Sequence, residues 1–175
     1  MKLSLETAES LARGAALAIK LGLGRDFDNY FLPLRPGNLV TIIGATQHGK
    51  SAFMQFASRQ VARQLKEQHR DDECVVYVTW EQTVEEFGLL ELGRSSGYRT
   101  EDFAKGLITD WEKVKAAAVR NATMPTYMIG HSDTLRKELP RLTLAFVSDV
   151  LLWLDANTKI RPALVVLDYL QLIDS

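Results

Sequence analysis

The segment GATQHGKS, residues 44–51, has the residue types and spacing of a loop that binds phosphate. Glycines let the backbone bend and approach an anion closely, and a turn into a helix N-terminus presents bare backbone N–H groups. At this spacing Lys50 would reach the β- and γ-phosphates, and the Ser51 hydroxyl would ligate Mg²⁺. The predicted nucleotide-binding residues are Gly44, Ala45, Thr46, Gln47, His48, Gly49, Lys50 and Ser51. The alternative is a surface turn that matches the motif by chance.

Two acidic residues follow predicted strands. Asp168 ends the apolar run ALVVLD and is a candidate for the second Mg²⁺ contact, direct or through water. Glu81 follows CVVYVT, and a carboxylate there can orient or deprotonate an attacking water. The carboxyl ends of parallel strands lie along one edge, so Glu81 could face the same crevice as the loop. The bland alternatives are a turn or capping aspartate and an exposed glutamate at a strand end.

The elements that must position these residues alternate between strand and helix. Apolar runs predict strands at 38–44 (NLVTIIG, ending at Gly44), 74–79 (CVVYVT), 126–130 (TYMIG) and 163–168 (ALVVLD). Apolar spacing predicts helices over 4–21 and from Lys50 to about Lys66. A further helix has Pro140 in its first turn, with the apolar residues Leu142, Phe146, Val150 and Trp153. Because the strands are apolar almost throughout, we expect an α/β fold with a parallel sheet covered on both faces.

The composition bounds the classes of function. The chain has 175 residues, 46% of them hydrophobic and 25% charged, which suits one globular domain with a core. Its net charge of −1 lacks the basic excess of many proteins that wrap along nucleic acid. Cys74 is the single cysteine and is interpreted as a buried thiol. With no signal peptide and no membrane-spanning apolar run, we expect a cytoplasmic protein.

Three stretches together resemble a known family. LRPGNLVTIIGATQHGKSAFMQFA, VVYVTWEQTVEE and ALVVLDYLQLID are similar to the RecA-like ATPase domain of DnaB-type replicative helicases. The resemblance implies an ATP-driven ring, commonly a hexamer, that moves along single-stranded DNA and separates the duplex, with primase or a helicase loader as further partners. It implies ATP and Mg²⁺ as cofactors, Glu81 as the catalytic glutamate and Asp168 as the second Mg²⁺ acid. Gln171 falls within a family motif.

The chain also departs from the family pattern. The family usually has Leu-Glu-Met where this chain has WEQ, residues 80–82, and an arginine near GLLEL that is not found here. Family members continue past DYLQL into a strand with a phosphate-sensing glutamine, DNA-binding loops and an arginine finger. We therefore expect a linker-type helix over residues 1–23 and a partial RecA-like P-loop ATPase domain over 24–175, incomplete at its C-terminal end.

Two other functions remain open at this stage. The chain could be a nucleotide-binding module that joins or regulates a helicase ring without turnover of its own. It could also be a P-loop kinase for a small molecule, for which the available lid arginines are Arg94, Arg99 and Arg136.

Overall fold

A computed structural model describes residues 18–24, 33–134 and 143–168, together with the single residues 5, 9, 12, 28 and 30. The described elements alternate between helix and strand, as the sequence predicts. The strands are β1 (Glu73–Thr79), β2 (Thr126–Ile129) and β3 (Arg161–Asp168). The helices are α1 (Lys50–Glu67), α2 (Val84–Ser96), α3 (Thr100–Ala104), α4 (Trp111–Ala122) and α5 (Leu144–Thr158).

The three strands form one parallel sheet in the order β2-β1-β3. In this register Val78 pairs with Ile129 of β2, and Thr79 pairs with Asp168 of β3. All three carboxyl ends therefore lie on the same edge of the sheet. This confirms the parallel sheet and three of its predicted strands.

The central strand β1 is buried on both faces because its side chains alternate between two layers. Val75 packs with Val61 and Leu65 of α1 on one face, and on the same face Tyr77 packs with Phe87 of α2. The opposite face of β1 packs against α5, through residues that share almost complete burial: Cys74, Val76, Val78, Val147 and Leu154. The expectation of helices on both faces is confirmed, and Cys74 is buried as expected, with burial raising its thiol pKa to about 11.

Helix boundaries follow local capping chemistry. Thr83 caps α2 by accepting from the Glu86 amide, and the Glu86 carboxylate accepts from the Thr83 amide in return, which satisfies two backbone donors. Thr143 caps α5 through the Phe146 amide. The predicted helix, with Pro140 in its first turn and the apolar residues Leu142, Phe146, Val150 and Trp153, differs from the described α5. The helix begins at Leu144, Trp153 is exposed, and Val147 and Leu154 supply the buried face instead.

The predicted strand over residues 38–44 is the largest error. The structure has no strand at these positions, and Leu39 and Ile43 are 90% and 91% exposed. A cavity of about 430 Å³ lies between residues 39–42 and Leu164–Val166 of β3, so no ladder joins this segment to the sheet. An apolar run favours a strand, but a strand also needs a partner edge within hydrogen-bonding reach.

The predicted helix over residues 4–21 falls mostly outside the described residues. Its end differs from the prediction, because Ala18–Leu21 are not helical and Ile19 forms an antiparallel bridge with Leu34. Ile19 is buried against Val61 and Leu65 of α1, which places this part of the chain on the α1 side of the sheet. Within the described residues, no helix combines the length and the hydropathy that crossing a membrane requires.

Candidate nucleotide-binding site

The loop of residues 44–49 turns sharply into α1. Gln47 and Gly49 both have positive φ, at 64° and 78°. The φ of Gly49 lies in the left-handed region, where a side chain adds strain, so glycine suits this position. The Lys50 ammonium donates to the carbonyl oxygens of Gly44 and Ala45 at 2.9 Å each. Lys50 thus folds back over the loop, and its acceptors there are uncharged carbonyl oxygens. A charged phosphate oxygen could take their place as the acceptor.

The N-terminus of α1 is suited to an anion. The helix has 18 residues, no acidic residue in its first turn, and no side-chain cap. Its first amides are therefore left without a capping carboxylate or hydroxyl, and the positive end of the helix dipole lies at the loop. His48 is exposed beside it.

The end of β3 places a buried carboxylate beside this helix. Asp168 is 3% exposed. Its Oδ1 accepts from the Ser51 hydroxyl at 3.1 Å, and its Oδ2 accepts from the Tyr77 hydroxyl at 2.6 Å. The Trp80 amide donates to the Asp168 carbonyl at 3.1 Å, which extends the pairing of β1 and β3 by one residue. The structure thus brings together Ser51 and Asp168, which are 117 positions apart in the chain.

Tyr77 lies on β1, where it pairs with Val166 of β3, two residues before Asp168. Its ring packs against Phe87, with centroids 4.9 Å apart. Burial, strengthened by the hydrogen bond to Asp168, raises the pKa of Tyr77 well above its ordinary value. The phenol is therefore protonated across the whole neutral range and acts as a donor to the aspartate.

The donor set fits Mg²⁺. A hydroxyl and a carboxylate are the oxygen ligands that this ion prefers, with water and phosphate oxygens completing its shell. No group of three or more His, Cys, Asp or Glu residues that could hold a metal occurs among the described residues. Ser51 and Asp168 are the residues that would hold Mg²⁺, which when bound neutralises phosphate charge.

Glu81 lies two residues beyond Thr79, at the same edge of the sheet. It is exposed, and within the described parts of the chain it has no hydrogen bond or ion pair. The next residue is tied down: the Gln82 amide donates to Thr79 Oγ1 at 3.1 Å, and its side-chain oxygen accepts from Gln55 at 3.0 Å. The role of Glu81 stays a prediction.

Gln55 connects α1 to α2. It is 2% exposed, and its amide oxygen accepts from Arg94 at 2.7 Å. Arg94 and Arg59 both donate to Glu91, at 3.3 Å and 2.6 Å. These contacts connect α1 to α2 and to Gln82, the residue next to Glu81.

Sequence reasoning missed Tyr77 and Gln55. Each carries a weak signal: Tyr77 is the one hydroxyl-bearing ring in the aliphatic run CVVYVT, and Gln55 lies four residues after Ser51, on the same face of α1. Neither signal is specific without the packing.

A family model described as the DnaB-like helicase C terminal domain matches residues 19–175 of the chain. The chain belongs to the DnaB-like helicase C-terminal domain family. A search of curated proteins gives no match. The α/β architecture and the parallel sheet flanked by helices are those of a RecA-like fold, which is the fold of DnaB-like domains.

Membership makes this DnaB-like chain a helicase-family ATPase module. It also disfavours the interpretation as a small-molecule kinase. Of the three arginines considered for a kinase lid, Arg94 is bonded to Gln55 and Glu91, Arg99 is exposed at the start of α3, and Arg136 lies outside the described residues.

Proposed function

We propose that this chain binds ATP with Mg²⁺ and hydrolyses it as the motor domain of a DnaB-like helicase that moves along single-stranded DNA and unwinds duplex. The observation that carries the proposal is the hydrogen bond between Ser51 and Asp168, which joins the start of the P-loop helix to the end of β3. The two predicted Mg²⁺ residues thereby meet at the edge of the sheet where the loop lies. Membership of the DnaB-like family supports the same assignment.

The roles divide between the two ends of the site. The loop of residues 44–49 and the first turn of α1 bind the phosphates through backbone N–H groups, and Lys50 binds the β- and γ-phosphates. Ser51 and Asp168 hold Mg²⁺. Glu81 orients or deprotonates the attacking water. Its carboxylate is exposed and has no hydrogen bond or ion pair among the described residues, so it is accessible to that water. Single-stranded DNA and a homo-oligomeric ring, a hexamer in the family, are the proposed partners.

A second candidate is a nucleotide-binding module without its own turnover that joins or regulates a helicase ring. The segment of residues 39–43 favours it, because it leads directly into the loop, has no partner strand among the described residues, and exposes Leu39 and Ile43. Catalysis requires the reacting groups to be held in a precise geometry, and a loop without a strand behind it gives that geometry less support.

The experiment compares three forms of the chain: the wild type, Lys50→Ala, and the matched control Lys105→Ala, whose ammonium is exposed and distant in sequence from the loop. Binding of a fluorescent ATP analogue and release of phosphate are measured with and without single-stranded DNA, and strand separation on a forked duplex is measured in parallel. DNA-stimulated turnover that Lys50→Ala abolishes and Lys105→Ala retains supports the motor.

Other outcomes decide against it. Nucleotide binding without turnover in any condition favours the regulatory module. Absence of Mg²⁺-dependent nucleotide binding in the wild type contradicts both functions.

A further inference from the structure

The Asp168 carboxylate accepts a second hydrogen bond that the proposed roles of Ser51 and Lys50 do not explain. It is almost fully buried, and a buried charge is costly unless each oxygen has a donor. Ser51 supplies a donor to Oδ1, and Tyr77 supplies one to Oδ2 at 2.6 Å, the shorter of the two contacts. Charge-assisted O–H···O⁻ bonds of this length are the strong ones.

Tyr77 is itself held rigidly. Its side chain has no solvent exposure, and it packs in one cluster with Phe87 of α2 and Val166 of β3, with Met54 of α1 against the same cluster. The hydroxyl therefore cannot move away from Asp168 without displacing the core. A phenol locked in this way fixes the torsion of the carboxylate that it contacts.

The two donors give the two oxygens of the Asp168 carboxylate different partners. Because Oδ2 is occupied by a donor from the core, Oδ1 is the oxygen left facing Ser51 and the N-terminus of α1. A carboxylate that is free to rotate would present either oxygen, or both, to a metal ion. We propose that Tyr77 is a positioning residue that orients Asp168 so that Oδ1 alone serves Mg²⁺, directly or through water. This rests on the proposed nucleotide site.

The test measures how Mg²⁺ tightens nucleotide binding in Tyr77→Phe, which keeps the ring and removes only the donor. Tyr127→Phe is the matched control, because Tyr127 lies on the neighbouring strand β2, pairs with Val76 and has a partly exposed ring. A fluorescent ATP analogue is titrated at increasing Mg²⁺ and again in EDTA, and urea unfolding is followed for each chain. Asp168→Asn serves as the reference for loss of the carboxylate.

We expect Tyr77→Phe to need about tenfold more Mg²⁺ for the same tightening, as is typical when a partner of a metal ligand is removed. Its affinity in EDTA should stay within about twofold of the wild type, since the phosphate-binding loop is unchanged. A Mg²⁺ dependence equal to that of the wild type and of Tyr127→Phe overturns the role of Tyr77. If Asp168→Asn also leaves the dependence unchanged, the Mg²⁺ assignment of the proposed function fails as well.

A spectroscopic measurement covers the case in which Tyr77→Phe does not fold. 3-Fluorotyrosine placed at position 77, and separately at position 127, reports the environment of each hydroxyl by ¹⁹F NMR. The resonance at 77 should shift when ADP is added with Mg²⁺ and not when ADP is added in EDTA, while the resonance at 127 stays unchanged. A resonance at 77 that ignores Mg²⁺ with ADP overturns the proposal.

Discussion

Asp168, at the end of β3, and the loop of residues 44–49, at the start of α1, lie on the two sides of one proposed site, but they are held by different kinds of contact. Asp168 is buried and accepts from Ser51 and from the core residue Tyr77. The loop is exposed, and the segment before it belongs to no strand. Its internal contacts are those of the Lys50 ammonium with two loop carbonyls and a weak turn bond from His48 to Ala45 at 3.3 Å.

The difference shows which half of the site is organised without a ligand. The acid side is fixed by the same core that forms the sheet, so it is expected to have the same geometry in the empty and filled states. On the loop side, the Lys50 ammonium donates to two loop carbonyls, and it must break these hydrogen bonds to reach a phosphate. Ligand binding is therefore expected to reorder the loop while Asp168 stays in place.

The largest expected effect separates binding from chemistry. Glu81 belongs to neither side of the comparison, since it is exposed beyond the end of β1. Glu81→Gln should leave Mg²⁺-dependent ATP binding intact and slow hydrolysis by about 10²–10⁴-fold, because the substitution removes the group that takes up the proton of the attacking water. Single-turnover hydrolysis and equilibrium binding, measured on the form that turns over ATP, provide the two numbers.

Glu112→Gln on α4, where the carboxylate is exposed, is the control for the loss of one negative charge. If turnover by Glu81→Gln equals that of Glu112→Gln, Glu81 is not the catalytic residue. In that case a residue other than Glu81 would have to activate the attacking water.

The second prediction compares the stability contributed by the core, which holds the acid side, with that contributed by the segment before the loop. Leu65 of α1 has no exposure and packs with Val61 and Val75, whereas Ile43 is 91% exposed. Leu65→Ala should lower the free energy of unfolding by about 2–5 kcal/mol because it leaves a cavity in the core. Ile43→Ala should change it by about 0.5 kcal/mol or less, as expected for a surface position.

Urea unfolding of the two variants beside the wild type checks this pair. A loss at Ile43 that approaches the loss at Leu65 would mean that residues 39–43 are packed in solution. The segment would then be part of the sheet, as the apolar pattern first predicted, and the contrast between the two sides would disappear.

The pattern of residues predicted well those features that depend on local order. The helix that follows the loop, the strands that end at Thr79 and Asp168, and the parallel sheet all follow from apolar periodicity and from the motif at 44–51. Ser51 and Asp168 are predicted separately as Mg²⁺ residues, and the structure places their side chains in hydrogen-bonding contact.

Features that depend on a partner elsewhere in the chain were not predictable in this way. Residues 38–44 have the composition of a buried strand, but composition does not specify whether an edge of β3 lies within reach. For α5, the apolar composition is continuous and does not indicate which face is buried, so the predicted apolar set includes the exposed Trp153 and omits the buried Val147 and Leu154. The sequence shows Tyr77 only as an aromatic residue in a strand; its pairing with Val166 and the contact of its hydroxyl with Asp168 depend on the register with β3.

The smallest of the expected effects concerns the connection between the two sides through Gln55. This residue joins the P-loop helix to Gln82, next to Glu81, and its oxygen accepts from Arg94. Gln82→Met leaves the buried amide of Gln55 without its acceptor and should cost about 1–3 kcal/mol of unfolding free energy. Gln55→Leu should cost about 1 kcal/mol, because Arg94 retains Glu91 as a partner and Gln82 is partly exposed to water.

The double variant Gln55→Leu/Gln82→Met replaces the polar pair by an apolar one, so its cost should be smaller than the sum of the single costs by about 1 kcal/mol. Gln60→Leu on the same helix is the control, since its side chain has no hydrogen bond within the part of the chain that the structure describes. Urea unfolding of the wild type, the two single variants and the double variant gives the coupling energy, and Gln60→Leu is measured beside them. Strictly additive costs would show that Gln55 and Gln82 do not interact in solution, so that α1 would have no direct contact with Gln82 through Gln55.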